Sequence, residues 1–106
     1  MGIDGQPYPL IRLFEHHSGY TIEDLRSTLR RPVQVQARIE FATLAAARYG
    51  IRSTEIAHSV QKHPTTIARW ISFGLRKQVE DQSFRERINT LDRRISQSAH
   101  DDPRML

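Results

Sequence analysis

Apolar side chains return every three or four residues along most of this chain, and almost nowhere do they alternate one by one. That spacing follows the 3.6-residue turn of an α-helix, whereas a half-buried strand needs a period of two. Leu10, Leu13, Phe14 and His17 share one helical face over residues 9–17, and Ser18-Gly19 stops the run. Thr21 with Asp24 three residues on has the form of a capping box, and Ile22, Leu25 and Leu29 carry the stripe forward. Only Val33-Gln34-Val35-Gln36 shows any alternation, and it is ambiguous. Pro32 suits the first turn of a long helix over residues 32–49. Ile39, Phe41, Ala42, Leu44, Ala45, Ala46 and Ala47 leave that segment few solvent-facing positions, so it is expected to be the central buried helix. Its alanines let neighbours pack close, and Gly50 fits the left-handed position past its end. Near the C-terminus, Asp81-Gln82-Ser83 breaks the pattern and Ser83 with Glu86 reads as another capping box. Phe84, Ile88, Leu91 and Ile95 then form a narrow stripe on a charged helix. The expected fold is all-α, a compact bundle of about six helices. Its domain is expected over residues 9–96, with a flexible tail at 1–8 and a polar tail at 97–106.

Bulk properties narrow the class further. A chain of 106 residues holds one domain with a modest core. No apolar run reaches ~18 residues, so no membrane span is expected, and no charged-then-apolar leader appears. The absence of cysteine excludes disulfides and thiolate zinc sites.

Residues 53–71, STEIAHSVQKHPTTIARWI, have the layout of a helix-turn-helix. Ser53 reads as the cap of a short helix burying Ile56, Ala57 and Val60. Gln61, Lys62 and His63 break the chain, and Pro64 opens a second helix with Ile67, Trp70 and Ile71 on its inner stripe. That helix extends to about Gln78, with Gly74 either a close-packing point or a place where it falters. Thr65, Thr66 and Arg69 face outward, as on a helix that enters the major groove by its N-terminal end. The turn carries Gln61 where glycine is usual, and a non-glycine residue in a left-handed turn costs up to ~1–2 kcal/mol, so a longer or differently shaped turn is expected.

Charge distinguishes this unit from an ordinary helical hairpin. From Arg26 to Lys77 there are ten Lys or Arg against only Glu40 and Glu55, a local charge of +8. Residues 1–25 carry −3 and residues 78–106 carry −1, so the whole excess of +4 lies on the piece holding the motif. A polyanion is the implied partner. The unpaired first N–H groups of the helix at Pro64 favour a phosphate or base-edge acceptor. Thr65 and Thr66 offer hydroxyls and methyls, and Arg69 can fork onto guanine or a phosphate. Lys62 and His63 are placed for backbone contact. Arg30-Arg31, with Arg26 a turn before and Arg38 in the next helix, form a second basic cluster suited to phosphates or an adjacent minor groove. Arg48 and Arg52 read as backbone-facing or solvated. Trp70 reads as core.

Other constellations lead nowhere. His16 and His17 diverge by ~100° on a helix, so both cannot easily hold one ion, and no carboxylate pair lies at ligand spacing. His58, His63 and His100 are scattered. No nucleophile elbow, phosphate-cradling glycine loop or acid–base pair is present, so no enzyme, cofactor, metal or small-molecule substrate is expected.

The order of parts resembles the C-terminal DNA-binding domain of the bacterial replication initiator DnaA, a Trp-repressor-like fold, and the similar domains at the end of REP-associated transposases. LIRLFEHHSG is similar to the family's first amphipathic helix, and YTIEDLRSTLRR to its helix and basic loop. VQARIEFATLAAARYG resembles its long central helix, STEIAHSVQKHPTTIARW its helix-turn-helix, and FRERINTLDRRI its last helix. The resemblance covers residues 9–96. It implies that Arg30 or Arg31 enters the minor groove, that Lys62 is the basic turn residue, that Thr65 and Thr66 match the paired threonines, and that Arg69 is a further contact. His63 and Pro64 stand where the family has Asp-His, and Val60-Gln61 replaces its Gly-Gly. The resemblance therefore implies DNA binding without the initiator's own site, and no ATPase module is expected within these 106 residues.

The expected function is sequence-specific binding of double-stranded DNA in replication control, transcription or transposition, at a cytoplasmic, nucleoid-associated location. Two rivals remain. One is a protein-interaction module derived from a helix-turn-helix, with a replication or transposition protein docked on the helix bearing Phe84 and Ile95 or on the Trp70 side. The other is the separated C-terminal domain of a transposase.

Overall fold

The computed structural model describes the backbone of residues 7–101 and the side chains of residues 7–99. Among the described residues there are six α-helices and no strand. The expected all-α bundle is the one found.

Helix α1 (Pro7–Ser18) starts inside the stretch expected to be a tail, because Pro7 is buried and opens the first turn. It buries Leu10, Ile11 and Phe14 and ends where Gly19 adopts φ 83°. Helix α2 (Ile22–Arg26) begins with the expected capping box: the Thr21 hydroxyl accepts from the Asp24 N–H, and the Asp24 carboxylate accepts from the Thr21 N–H. It is only five residues long. Ser27 turns extended at ψ 148°, so Leu29 does not continue the stripe and is 51% exposed.

Helix α3 (Pro32–Thr43) runs into a π-helical turn (Leu44–Arg48), and together they form the buried axis of the molecule. Ala37, Phe41, Ala42, Leu44 and Ala45 are fully buried, and the Phe41 ring meets Phe14 edge-on at 5.4 Å. The alternating 33–36 segment is helical, with Val33 and Val35 exposed. Gly50 adopts φ 63° past the end, as expected. Glu40 is buried on this axis, where Arg87 donates to it at 3.1 Å and Gln36 at 2.7 Å. A carboxylate taken out of water needs such donors to remain charged.

Helix α4 (Ser53–Val60) is capped differently from expectation. Arg52 takes the extended cap conformation, its carbonyl accepts from Glu55 and Ile56, and Ser53 lies within the first turn. Helix α5 (Pro64–Glu80) is continuous over 17 residues. Gly74 does not interrupt it; a Cβ there would lie 1.8 Å from Thr43 Oγ1, so the glycine is the point of closest approach to α3. Asp81 alone separates α5 from α6 (Gln82–Asp101). The cap of α6 is Asp81, whose carboxylate accepts from the Phe84 N–H, while Glu86 pairs with Gln82. Ser83 is therefore not the cap, because the helix has already begun one residue before it. Phe84, Ile88, Leu91 and Ile95 are all buried, and Ala99 extends the stripe. Helix α6 thus passes the expected boundary at residue 96 and packs along α1, with His17 Nε2 2.7 Å from Ser98 Oγ. The remaining ends, residues 1–6 and 102–106, lie outside the described residues.

Candidate nucleic-acid interface

Helices α4 and α5 are joined by residues 61–63, so the turn has the short length of a helix-turn-helix despite lacking glycine. Gln61 itself adopts the left-handed conformation, φ 59° and ψ 45°, and the Lys62 N–H reaches back to the Ala57 carbonyl at 2.9 Å. That bond spans five residues and closes the helix end as a Schellman-type cap.

The start of α5 departs from the expectation of free amide donors. His63 is its cap: His63 Nδ1 accepts from the Thr65 N–H at 3.1 Å, and the His63 carbonyl accepts from Thr66 and Ile67. Pro64 has no N–H to offer. The amides expected to meet an anion are already satisfied inside the protein, so binding capacity here resides in side chains. Thr65 and Arg69 are exposed, with Ala68 and Ser72 on the same face, and Thr66 is half-buried beside them. His63 is exposed as well, its ring held against the Thr65 amide.

Five of the expected contact residues converge on one groove of about 540 Å³: Arg30, Arg38, Lys62, Thr66 and Arg69. Its walls are α3, through Val35, Arg38 and Ile39, and α5, through Thr66, Arg69, Trp70 and Phe73; Ser27 and Thr28 of the α2–α3 loop also line it. Both walls follow from helical spacing, since 35, 38 and 39, like 66, 69, 70 and 73, fall on single faces. Arg31, Thr65 and His63 do not line it. Arg31 and Thr65 are exposed without a hydrogen bond from their side chains among the described residues.

Electrostatically the groove is one-sided. Ser27 O accepts from both Arg38 Nη2 and Lys62 Nζ, the latter at 3.0 Å. Two cations therefore share one neutral acceptor. Arg38 is 7% exposed, and its Nε has no acceptor among the described residues. Burial, and then the neighbouring Arg30 charge, push the Arg38 pKa down, with Asp24 opposing them. Burial and then Arg38 push the Lys62 ammonium down in the same way. Among the described residues no carboxylate lines the groove, and none of its cations forms an ion pair. Burial is the larger cause of both shifts, and the neighbouring guanidinium charge comes second.

Two other arginines have internal partners. Arg26 donates through Nε and Nη2 to the Ser59 carbonyl, tying α2 to α4 rather than facing outward. Arg48 bridges to Asp92 at 2.7 Å, to Asn89 at 2.6 Å and to Gln78, locking the π-helical turn onto α6 and α5. Helical phase did not disclose either, because the carbonyl and carboxylate that hold them come from remote elements. Trp70 is only half core: it packs against the interior and also lines the groove. Helical phase alone did not point to Val35, 41% exposed, or Phe73, 47% exposed, as groove residues, although Phe73 falls one turn beyond Trp70 on the same face.

Among the described residues no three His, Asp or Glu side chains are grouped to hold a metal ion, and no helix is long and apolar enough to cross a membrane. Compared with known proteins, the chain matches no family model, no curated protein and no solved structure.

Proposed function

We propose that this chain binds double-stranded DNA with sequence preference, α4 and α5 acting as a helix-turn-helix. The observation that carries the reading is the set of cations without an ion-pair partner that line one groove with Thr66 at the start of α5: Arg30, Arg38, Lys62 and Arg69, with Arg31 exposed at the neighbouring start of α3. Phosphates supply the negative charge this surface lacks. In this arrangement Thr65, Thr66 and Arg69 meet base edges in the major groove. Arg30 and Arg31 grip the backbone or the adjacent minor groove across the α2–α3 joint. Helix α3 opens there without a side-chain cap, so its positive end adds to their field. Lys62 and Arg38 also hold the Ser27 carbonyl, and thereby tie the basic joint to the α4–α5 turn and to α3. Replication control, transcription and transposition remain the contexts that the resemblance to DnaA-type domains suggests, with a nucleoid location.

Selection of bound duplexes from a random pool at two salt concentrations tests the reading. A short enriched motif is expected, with Arg69→Ala weakening specific binding by ~1–3 kcal/mol. Arg31→Ala is expected to lower affinity for all duplexes and to flatten the salt dependence. Absence of salt-dependent binding to any duplex contradicts the proposal.

The rival reading, a protein-interaction module, finds support on a different surface. Leu75 and Val79 are exposed one turn apart on α5, Val79 to 76%. The α6 stripe from Phe84 to Ile95 cannot serve it, because those side chains fill the core. Protein capture through Leu75 and Val79 without any DNA affinity would favour that reading.

A further inference from the structure

The groove between α3 and α5 has a chemistry that duplex binding does not require. One part is cationic and partly withdrawn from water: Arg38, Lys62 and the Ser27 carbonyl they share, with Arg30 beside them. Another part is aromatic and aliphatic: Trp70, Phe73 and Val35. Phe73 lies seven residues beyond Thr66 on α5, two turns or ~10 Å along the helix. A duplex offers phosphates to such a surface but keeps its bases stacked on one another. Trp70 packs against the core on one side and Lys77 Nζ lies 5.9 Å from the Phe73 ring, but such a duplex would leave what these rings present to the groove unused.

We propose that this groove is a nucleoside-phosphate site, taking the phosphate at Arg38, Lys62 and Arg30 and the flat base against Trp70 and Phe73. The volume falls in the range of small-ligand sites, roughly 300–1,000 Å³, and cationic grooves with aromatic platforms are how unpaired nucleotides are held. A phosphate relieves the mutual repulsion of Arg38 and Lys62; Asp24 acts on Arg38 from outside the groove, and no carboxylate lines it. Thr66 and Arg69 supply hydroxyl and guanidinium donors between the two ends. The ligand is either a free mononucleotide or an unpaired nucleotide of a single strand; the chemistry recognised is the same. A duplex and a nucleotide would share Arg30, Thr66 and Arg69, but only the nucleotide uses Trp70 and Phe73, so a Phe73 variant separates the two readings.

Trp70 is the only tryptophan of the chain, so its fluorescence reports on the groove directly. The whole protein is titrated separately with thymidine monophosphate, 5′-phosphorylated hexathymidylate, a DNA duplex, inorganic phosphate and a glutamate-rich peptide. Saturable quenching is expected with the mononucleotide or the hexathymidylate, and clearly less with phosphate or peptide. If only the hexathymidylate saturates, the occupant is a strand; if both do, a free nucleotide suffices. Phe73→Ala should weaken this binding roughly fivefold or more while leaving the duplex gel shift and the circular dichroism unchanged. Lys62→Gln should weaken it and reduce its salt dependence. Linear, non-saturating quenching, an equal response to phosphate or peptide, or wild-type binding by Phe73→Ala overturns the proposal. Duplex shifts without any quenching by mononucleotide or hexathymidylate overturn it alone. Quenching by either without duplex binding overturns only the duplex reading.

Discussion

Gln61 holds φ 59° at the end of α4, a conformation that an L-residue with a Cβ reaches only at a cost. With no glycine at this position, the sequence predicts a longer or differently shaped turn. The structure keeps the short turn and bears the strain instead. The reason lies in what surrounds it: Val60 is fully buried on one side, and on the other Lys62 is tied to Ser27 and to Ala57. Gln61→Gly should therefore stabilise the protein by about 0.5–1 kcal/mol, seen as a higher urea midpoint at unchanged slope. An unchanged or lower midpoint would show that the strain is absent. Gly74 presents the opposite case. Its φ is ordinary, but Thr43 Oγ1, which is itself bonded to the Ile39 carbonyl at 2.7 Å, occupies the place of a Cβ. Overpacking costs about 1–3 kcal/mol, against a gain of about 1 kcal/mol in helix propensity from alanine. Gly74→Ala should thus lower stability by up to roughly 2 kcal/mol in the same denaturation assay; a stabilised variant would contradict the close approach. The sequence left both roles of Gly74 open because a helix interior and a contact point look alike until the neighbouring helix is placed.

At the scale of elements, the apolar stripes were legible and the ends were not. The core positions of α4 and α6 follow from spacing alone, since the 3.6-residue period is a property of the helix and needs no partner, whereas on the central segment apolar content overstated burial: Ala46 is half-buried and Ala47 exposed. Caps are a competition among nearby polar residues. Asp81 displaced Ser83, and Arg52 displaced Ser53, because the buried stripe of each helix fixes where its first turn must begin. The C-terminal extension of α6 was hidden by its polarity, yet Ala99 and Ser98 face α1. This pairing makes a pH prediction. His17 lies beside His16 and near Arg94, and burial first, then those charges, lower its pKa below the ordinary 6.5. Folding thus disfavours its protonated form. Its contribution to stability is intact above about pH 6.5 and is lost as pH falls through the lower folded value. Urea midpoints measured across that interval should fall more for the wild type than for His17→Gln. Parallel curves would show that the α1–α6 contact does not sense protonation.

Across the whole molecule, residues 26–77 carry a local charge of +8, and the cations that meet at the groove come from the α2–α3 loop, α3, the α4–α5 turn and α5. Summing charges along the chain located the segment, but not which cations are free. Arg26 and Arg48 are consumed by Ser59 and by Asp92, whereas Arg30, Arg31 and Arg69 have no acidic partner. The groove itself was illegible because its walls are 30 residues apart in sequence and meet only through the α3–α5 packing that Gly74 permits. Amide and side-chain chemical-shift mapping with a selected DNA duplex tests the account most directly. It should perturb Thr65, Thr66 and Arg69 together with Arg30 and Arg31, and leave the Leu75–Val79 face of α5 untouched. Shifts confined to that apolar face, or none near the two threonines, would contradict it.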